Sequence, residues 1–385
     1  MGRWGSVQRW VAVAVAVVLP MLIGCDGFFP PINSGGGGGG GGANGNRVYI
    51  ANQFAKSIGA FTVGTGTLTI VNNSPVATGY IPLSMAVTPN NALLYVGAST
   101  GIFVYFINSD GSLTTPTTGS QPAGVFAPAL TISPDGQWLI ALDGTTQQLD
   151  IFQINYSTGA LSSINSPTTY SATSGAWQPS DVRVSPDGTL IFAAVGTAGD
   201  VVFSFNTTSG MSTSLQTLAT GNTATGDYGL AVNASTTYLY IARSGTNGGV
   251  AVFSIGSNGL LVPVTGTPFA AGSGTFSVLL DPTGAYVYAA NRTDGTVSGY
   301  TIVPGTSTAA LSLTPLSGSP YSSGSGAQAL GLDSTGKYVL AAAVNGAADL
   351  TMYSFDITTP GKLDPATSVL TGAQPAGAVA IALTH

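Results

Sequence analysis

The chain contains no glutamate: all fifteen of its acidic residues are aspartate. It has one histidine, the final residue His385, and one cysteine, Cys25. Charged residues of any kind make up 6% of its 385 positions. Each scarcity removes a class of function. Histidine and glutamate are the side chains that most often serve as general bases, so a carboxylate base for hydrolysis here would be an aspartate. A single cysteine forms no intramolecular disulfide, and without a cysteine or histidine pair no zinc site is expected. No cofactor is called for either. Helices laced by surface ion pairs need charges that are missing. A net charge of −6 repels phosphate backbones, so nucleic acid is not a partner.

What the chain does have is glycine (54), proline (22) and a 44% share of hydrophobic residues, the composition of short strands joined by many turns. Aspartate fits that reading, because its short side chain hydrogen-bonds the nearby backbone of turns. The composition is uniform from about residue 47 onward, which argues for one repeated architecture rather than several domains.

The first residues differ. Arg3 and Arg9 flank an apolar run from Val11 to Ile23, interrupted by Pro20 and too short for a permanent bilayer span. It ends in Leu22-Ile23-Gly24-Cys25, which resembles the bacterial lipobox. The resemblance implies a signal peptide over residues 1–24 and a lipid on Cys25, with the membrane as partner through that lipid. Residues 25–46, with eight consecutive glycines from Gly35 to Gly42, read as a flexible tether. About twenty such residues span roughly 25 Å. The expected location is the bacterial cell envelope, outside the cytoplasm. Loss of residues 1–24 leaves seven of the nine basic residues against fifteen acidic ones.

From residue 47 one phrase recurs: an apolar strand, a Pro-Asp-Gly-like turn and a second apolar strand. The turns begin at Thr88, Ser133, Ser185, Asn233, Asp281 and Asp333, spaced 45, 52, 48, 48 and 52 positions apart. Proline fixes φ at the second position, and Asn or Gly tolerates positive φ, so each copy joins two antiparallel strands. The strands after the turns start at Leu93, Trp138, Leu190, Tyr238, Tyr286 and Tyr338. A seventh, Arg47 to Ala51, lacks a turn before it, while Ala378 to Leu383 reads as a strand lacking a turn after it. The two together predict a ring closed by the ends of the repeat region. Third strands, such as Ile102 to Ile107 and Leu149 to Ile154, and weaker fourth strands near Leu68, Leu113, Leu161 and Leu260 complete four-stranded units. Residues 47–385 divide into seven units of about 48. The expected fold is all-β, a seven-bladed β-propeller with four antiparallel strands per blade.

The segment Tyr286-Val287-Tyr288-Ala289-Ala290-Asn291, with Val297 to Ile302 and the Gly-Ser-Pro-Tyr stretch at Gly318 to Tyr321, resembles the seven-bladed propeller lactonase family and related YVTN-type repeats. The resemblance extends over residues 47–385. It implies a 6-phosphogluconolactonase-like activity, opening a sugar lactone by attack of water at the mouth of the central channel. Enzymatic members carry a Pro-Arg-His stretch ahead of the inner-strand turn. The matching positions here read Pro128-Ala129-Leu130 and Pro179-Ser180-Asp181.

Polar residues that loops can gather on one face are Asn52, Asp143, Arg243, Asn291 and Arg292, with Asp181 and Arg183 on an inner strand. Asp143, Asp181, Arg243 and Arg292 are the catalytic candidates. Asn52, Trp177, Arg183, Tyr228 and Asn291 are the ligand-binding ones. Solvated loop charge or inter-blade ion pairing is the competing reading of the charged members. Gly97-Ala98-Ser99-Thr100-Gly101 fits a Gly-x-Ser-x-Gly pattern but has no histidine partner or strand-turn-helix setting, and reads as a turn. Asn291 to Gly295 offers too few oxygen ligands for a calcium loop. Trp138, Tyr238, Tyr286 and Tyr338 recur at one repeat position, as blade-packing residues do. Two functions follow: a membrane-tethered module binding a protein, glycan or small molecule through its loop face, or a sugar-lactone hydrolase. A third reading, a self-associating envelope element, rests on the Ser/Thr-rich loops.

Overall fold

A computed structural model of the chain describes residues 45–116, 123–164, 167–173, 175–220, 224–306 and 310–385. The chain divides into two units, Met1–Asn33 and Ser34–His385. The signal segment, Cys25 and the glycine run lie outside the described residues. No helix occurs among the described residues, and so none is long and apolar enough to cross a membrane.

The second unit is a seven-bladed β-propeller. From the channel outward, blade one consists of Ala378–Leu383, Arg47–Asn52, Ser57–Gly64 and Thr67–Ile70. Blade two is Pro82–Val87, Leu93–Ala98, Gly101–Ile107 and Leu113–Thr114; blade three is Ala129–Ile132, Trp138–Leu142, Gln148–Ile154 and Leu161–Ser163. Blade four runs Trp177–Val184, Leu190–Gly196, Asp200–Phe205 and Ser212–Leu218, and blade five Thr225–Val232, Tyr238–Gly245, Gly249–Ile255 and Leu261–Pro263. Thr275–Leu280, Tyr286–Asn291, Thr296–Val303 and Ser312–Pro315 form blade six, and Ala327–Leu332, Tyr338–Ala343, Leu350–Phe355 and Leu363–Val369 blade seven. Each inner strand contacts the next around the circle, and Ala378–Leu383 touches both Ala327–Leu332 and Pro82–Val87, so the ring is closed.

Second strands are apolar on both faces because neighbouring blades cover both. Leu93–Ala98 and Leu190–Gly196 are buried at every position. Side chains of adjacent blades meet in one apolar cluster per seam, such as Tyr288, Val297 and Leu316 of blade six with Leu330, Val339 and Tyr353 of blade seven. Seven such seams replace the single core of an ordinary globular domain.

All six predicted turns share one construction. The fourth residue donates its N–H to the carbonyl of the first, at 2.8 to 3.1 Å, and takes a φ of 52° to 74°. The side-chain oxygen of the first residue, whether Thr88, Ser133, Ser185, Asn233, Asp281 or Asp333, accepts the N–H of the first residue of the following strand. That is why every copy begins with a short oxygen-bearing side chain. Blade one preserves the same bond across the break: Arg47 N–H donates to Thr384 Oγ1 at 2.8 Å.

Large aromatic residues of the second strands tie blades one, two, three and six to the blade that follows. The hydroxyls of Tyr49, Tyr95 and Tyr288 donate to the carbonyls of Gly111, Gly159 and Gly361 in the following blade, and the Trp138 indole donates to Thr207. Gly210 and Gly361 pack so closely on Trp138 and Tyr286 that a Cβ would lie 2.5 and 2.4 Å from those rings. Trp138 and Tyr286 are thereby committed to blade packing.

Candidate functional site

The loops after the second strands and the links between blades emerge at one face of the ring, opposite the Pro-Asp-Gly turns. On that side, five inner strands carry a register shift at the same place. One extra residue is inserted opposite the second strand at Leu83, Tyr228, Phe276, Gln328 and Val379. Such a bulge re-aims one side chain while leaving the rest of the ladder intact. In blades five and six the re-aimed residues are aromatic, and their rings stack 4.7 Å apart at 16°. The Arg292 guanidinium lies over the Phe276 ring at 5.1 Å, within cation–π range. Arginine, phenylalanine and tyrosine therefore form one layered platform.

The platform forms part of the lining of a cavity of about 330 Å³ between blades five, six and seven, completed by Ser244, Gly274, Thr293, Ser325, Gly326 and Asn345. The loops that build it are tied down by backbone bonds. Arg292 and Thr293 donate to Gly274 and Ser273, while Val344 and Asn345 donate to Gly326 and Ser325. Gly274, at φ 73°, has no room for a Cβ, which would meet Thr293 at 2.4 Å. Arg292 is exposed and makes no ion pair among the described residues. The nearby Asp294 carboxylate is spent on the Ser273 N–H, at 2.7 Å. The cavity thus offers an aromatic face, a free guanidinium, hydroxyls and an amide. No carboxylate or imidazole is among its lining residues.

The structure brings together two of the residues singled out from sequence, Tyr228 and Arg292. Asn52 and Asn291 are fully buried rather than presented at the face. Asn52 bonds Ser57 and Thr371 across the ring closure, and Asn291 bonds Thr296 and Ser298 within its hairpin. Buried amides of this kind satisfy backbone and hydroxyl groups that have no water to turn to. Asp143 closes its own loop, accepting from Thr145 and Thr146, and these bonds hold its pKa below the usual carboxylate range despite partial burial. Asp181 accepts the N–H of Leu230 in the next blade and pairs with Arg183 at 3.2 Å. Burial raises its pKa, opposed by that arginine and those bonds. Arg183 is half exposed on an inner strand. Trp177 donates its indole N–H to the Tyr170 hydroxyl and packs on the core between blades three and four. Arg243 is largely covered and paired with the buried Asp227 at 2.6 Å, so it has no free charge for a ligand. His385 sits at the opposite end of the ring, bonded through its backbone to Asn91, and burial lowers its pKa. Among the described residues, no group of three or more histidine, cysteine or acidic side chains is placed to hold a metal.

Phe276, Asn345 and Ser244 were not legible as site residues. The available signal was Phe276 standing at the same repeat position as Tyr228, just after a polar residue that begins the inner strand.

Residues 198–378 match the sequence profile of the family described as lactonase, seven-bladed beta-propeller. A search of curated proteins found no match. Among solved structures, the chain is similar to the periplasmic gluconolactonase of Pseudomonas aeruginosa, with a TM-score of 0.68 at 16% identity over 88% of this chain and 99% of that one. A proposed 6-phosphogluconolactonase of Bacteroides uniformis gives 0.68 at 19% identity, over 88% and 99%. One from Bacteroides fragilis gives 0.67 at 17%, over 88% and 98%. By fold the chain is thus a seven-bladed β-propeller, and over residues 198–378 its sequence is similar to the seven-bladed lactonase family.

Proposed function

We propose that the propeller takes sugar-acid lactones into the cavity between blades five and seven and opens them with water. The observation that carries this reading is the unpaired Arg292 guanidinium laid over the Phe276–Tyr228 stack. An aromatic face suits the apolar side of a sugar ring, and a guanidinium suits a phosphate or carboxylate. The likeness to lactonase-type propellers supports the choice of a lactone. In this scheme Arg292 holds the anionic group. Hydroxyl and amide donors from Ser244, Thr293, Ser325 and Asn345 surround the ring and meet the oxyanion that forms as water adds. Lactones of this class already hydrolyse unaided, so positioning and oxyanion binding alone accelerate the reaction.

A second reading, a binding module without turnover, is favoured by the lack of a carboxylate or imidazole in the cavity lining. The two are separated by measuring hydrolysis of 6-phosphogluconolactone by the full chain against the spontaneous rate, together with binding of the stable product 6-phosphogluconate. Hydrolysis above background that falls about 10- to 100-fold in Arg292→Ala is the result expected, since a hydrogen bond to a charged group contributes about 1.5–3 kcal/mol. Binding without turnover supports the module. Neither binding nor turnover sinks both.

We further propose that Cys25 carries a lipid that tethers the ring to a membrane of the cell envelope. Metabolic labelling with a radioactive fatty acid, lost in Cys25→Ser, is the outcome that supports it.

A further inference from the structure

Beneath the cavity wall, at the seam between blades four and five, lies a charge cluster that takes no direct part in lining it. Arg243 ends the second strand of blade five and clasps Asp227 with two charge-assisted bonds, Nε to Oδ1 at 2.7 Å and Nη2 to Oδ2 at 2.6 Å. Both Asp227 oxygens are thereby occupied. Asp200 opens the third strand of blade four and is 2% exposed. No N–H or O–H of a described residue donates to either of its oxygens. Asp200 is paired with Ala194 and Asp227 with Gly196, two positions apart at the end of the same strand, and Arg243 lies opposite Asp227, so the charged groups facing Asp200 are the Asp227 carboxylate and the Arg243 guanidinium.

Two neighbouring buried carboxylates cannot both stay ionised against one guanidinium without leaving a buried charge uncompensated. A proton on Asp200 removes that charge and turns an orphaned acceptor into a donor to Asp227. Burial, then the Asp227 charge, push the Asp200 pKa well above the usual carboxylate value in the same direction.

The cluster occupies a particular place in the ring. Asp227 is paired with Gly196 of blade four, a bridge that joins the sheets of these two blades into one. Asp227 and Arg243 also immediately precede Tyr228 and Ser244, two residues of the cavity wall.

We propose that Asp200 and Asp227 share a single proton, and that this proton locks the seam between blades four and five and holds the Tyr228–Ser244 wall in place, so that ligand binding weakens when the proton leaves. The claim about the wall rests on reading the cavity as the binding site; the claim about the seam does not.

Between the ordinary carboxylate pKa and the raised one, the folded chain binds a proton that the unfolded chain has released. In that window each pH unit upward lowers the folding constant about tenfold. Asn at position 200 keeps a donor facing Asp227 and has no proton to lose.

The experiment is urea unfolding of the full chain from pH 5 to pH 10, for the wild type and for Asp200→Asn, with 6-phosphogluconate binding measured over the same range. As pH rises the wild type is expected to lose more stability and affinity than Asp200→Asn, which keeps only the pH dependence of the other titrating groups. Its advantage over the wild type then grows with pH and levels off once the wild-type proton is gone. An infrared band of a protonated carboxyl group in the wild type at neutral pH, absent from any folded Asp200 variant, tests the shared proton independently of the stability of Asp200→Asn. Parallel pH curves, or no such band, overturn the proposal. Rescue of the alkaline wild type by calcium, absent in the variant, overturns it by putting a metal ion where the proton is placed. A pH-dependent seam with no 6-phosphogluconate binding at any pH sustains the shared proton and overturns both the wall claim and the ligand reading beneath it.

Discussion

The hydroxyl of Tyr288 offers a measurable test of how the blades are held together. It is fully buried and donates to the carbonyl of Gly361 in the next blade at 2.6 Å. Tyr288→Phe removes one oxygen, keeps the ring and its apolar contacts, and leaves the Gly361 carbonyl without that donor. Leaving a buried acceptor unsatisfied costs about 1–3 kcal/mol, and the missing oxygen opens too small a space to add much. A loss of about 2 kcal/mol is therefore expected, which lowers the thermal midpoint of a domain this size by about 3 °C. Guanidinium unfolding should show a lower midpoint with an unchanged slope, because the variant exposes no more surface. Tyr95→Phe removes the equivalent bond to Gly159 at another seam, at 3.0 Å, and the two losses should add. A loss below about 0.3 kcal/mol in both variants would refute the view that these hydroxyls stitch the ring, as would a changed slope.

Asp150 in blade three has a buried carboxylate oxygen with no donor, and burial, with a contribution from Asp143, pushes its pKa up to about 6. Its ionised form is disfavoured in the fold, so Asp150→Asn should be more stable than the wild type at pH 8, with the advantage shrinking below pH 6 and gone near pH 4 in thermal melts. Thr384→Val keeps the volume at the ring closure but strips the Arg47 N–H of its acceptor and the Gly45 carbonyl of a donor; chemical unfolding should register a loss of about 1–3 kcal/mol.

The ring was legible because its repeat is written in residues with strict local duties. A short oxygen-bearing side chain at the head of each turn is needed to accept one particular N–H, and the apolar runs at Leu93 and Leu190 reflect burial on both faces. Fourth strands were readable only where an apolar residue marked them. Ser212–Leu218 is mostly Ser and Thr and largely exposed, since an outermost strand has no neighbour to demand apolar side chains. The site was harder for the opposite reason. Asn52, Asp143, Arg243 and Asn291 share one repeat position, yet two are buried in hydrogen-bond networks, one closes its own loop and one is locked in an ion pair. Polarity marked them, but burial decided their roles, and burial depends on which loop from the adjacent blade arrives beside them. Phe276 belongs to the cavity because a bulge turns it outward, and nothing in its own identity signals the extra residue.

The bond between Arg47 and Thr384 joins positions 337 apart in sequence. During synthesis three strands of blade one are made before the other six blades, but the strand they need at the channel is made after them. Until it arrives, the sheet edge of Arg47–Asn52 stays open, and bringing the two ends together carries the entropic cost of closing a loop nearly as long as the chain. Six blades have their own inner strands as soon as they are made; the first waits for Ala378–Leu383. Closure of the ring is thus an event in time, set by the synthesis of Ala378–Leu383, and a chain stopped short of Ala378 has no means of finishing its first blade.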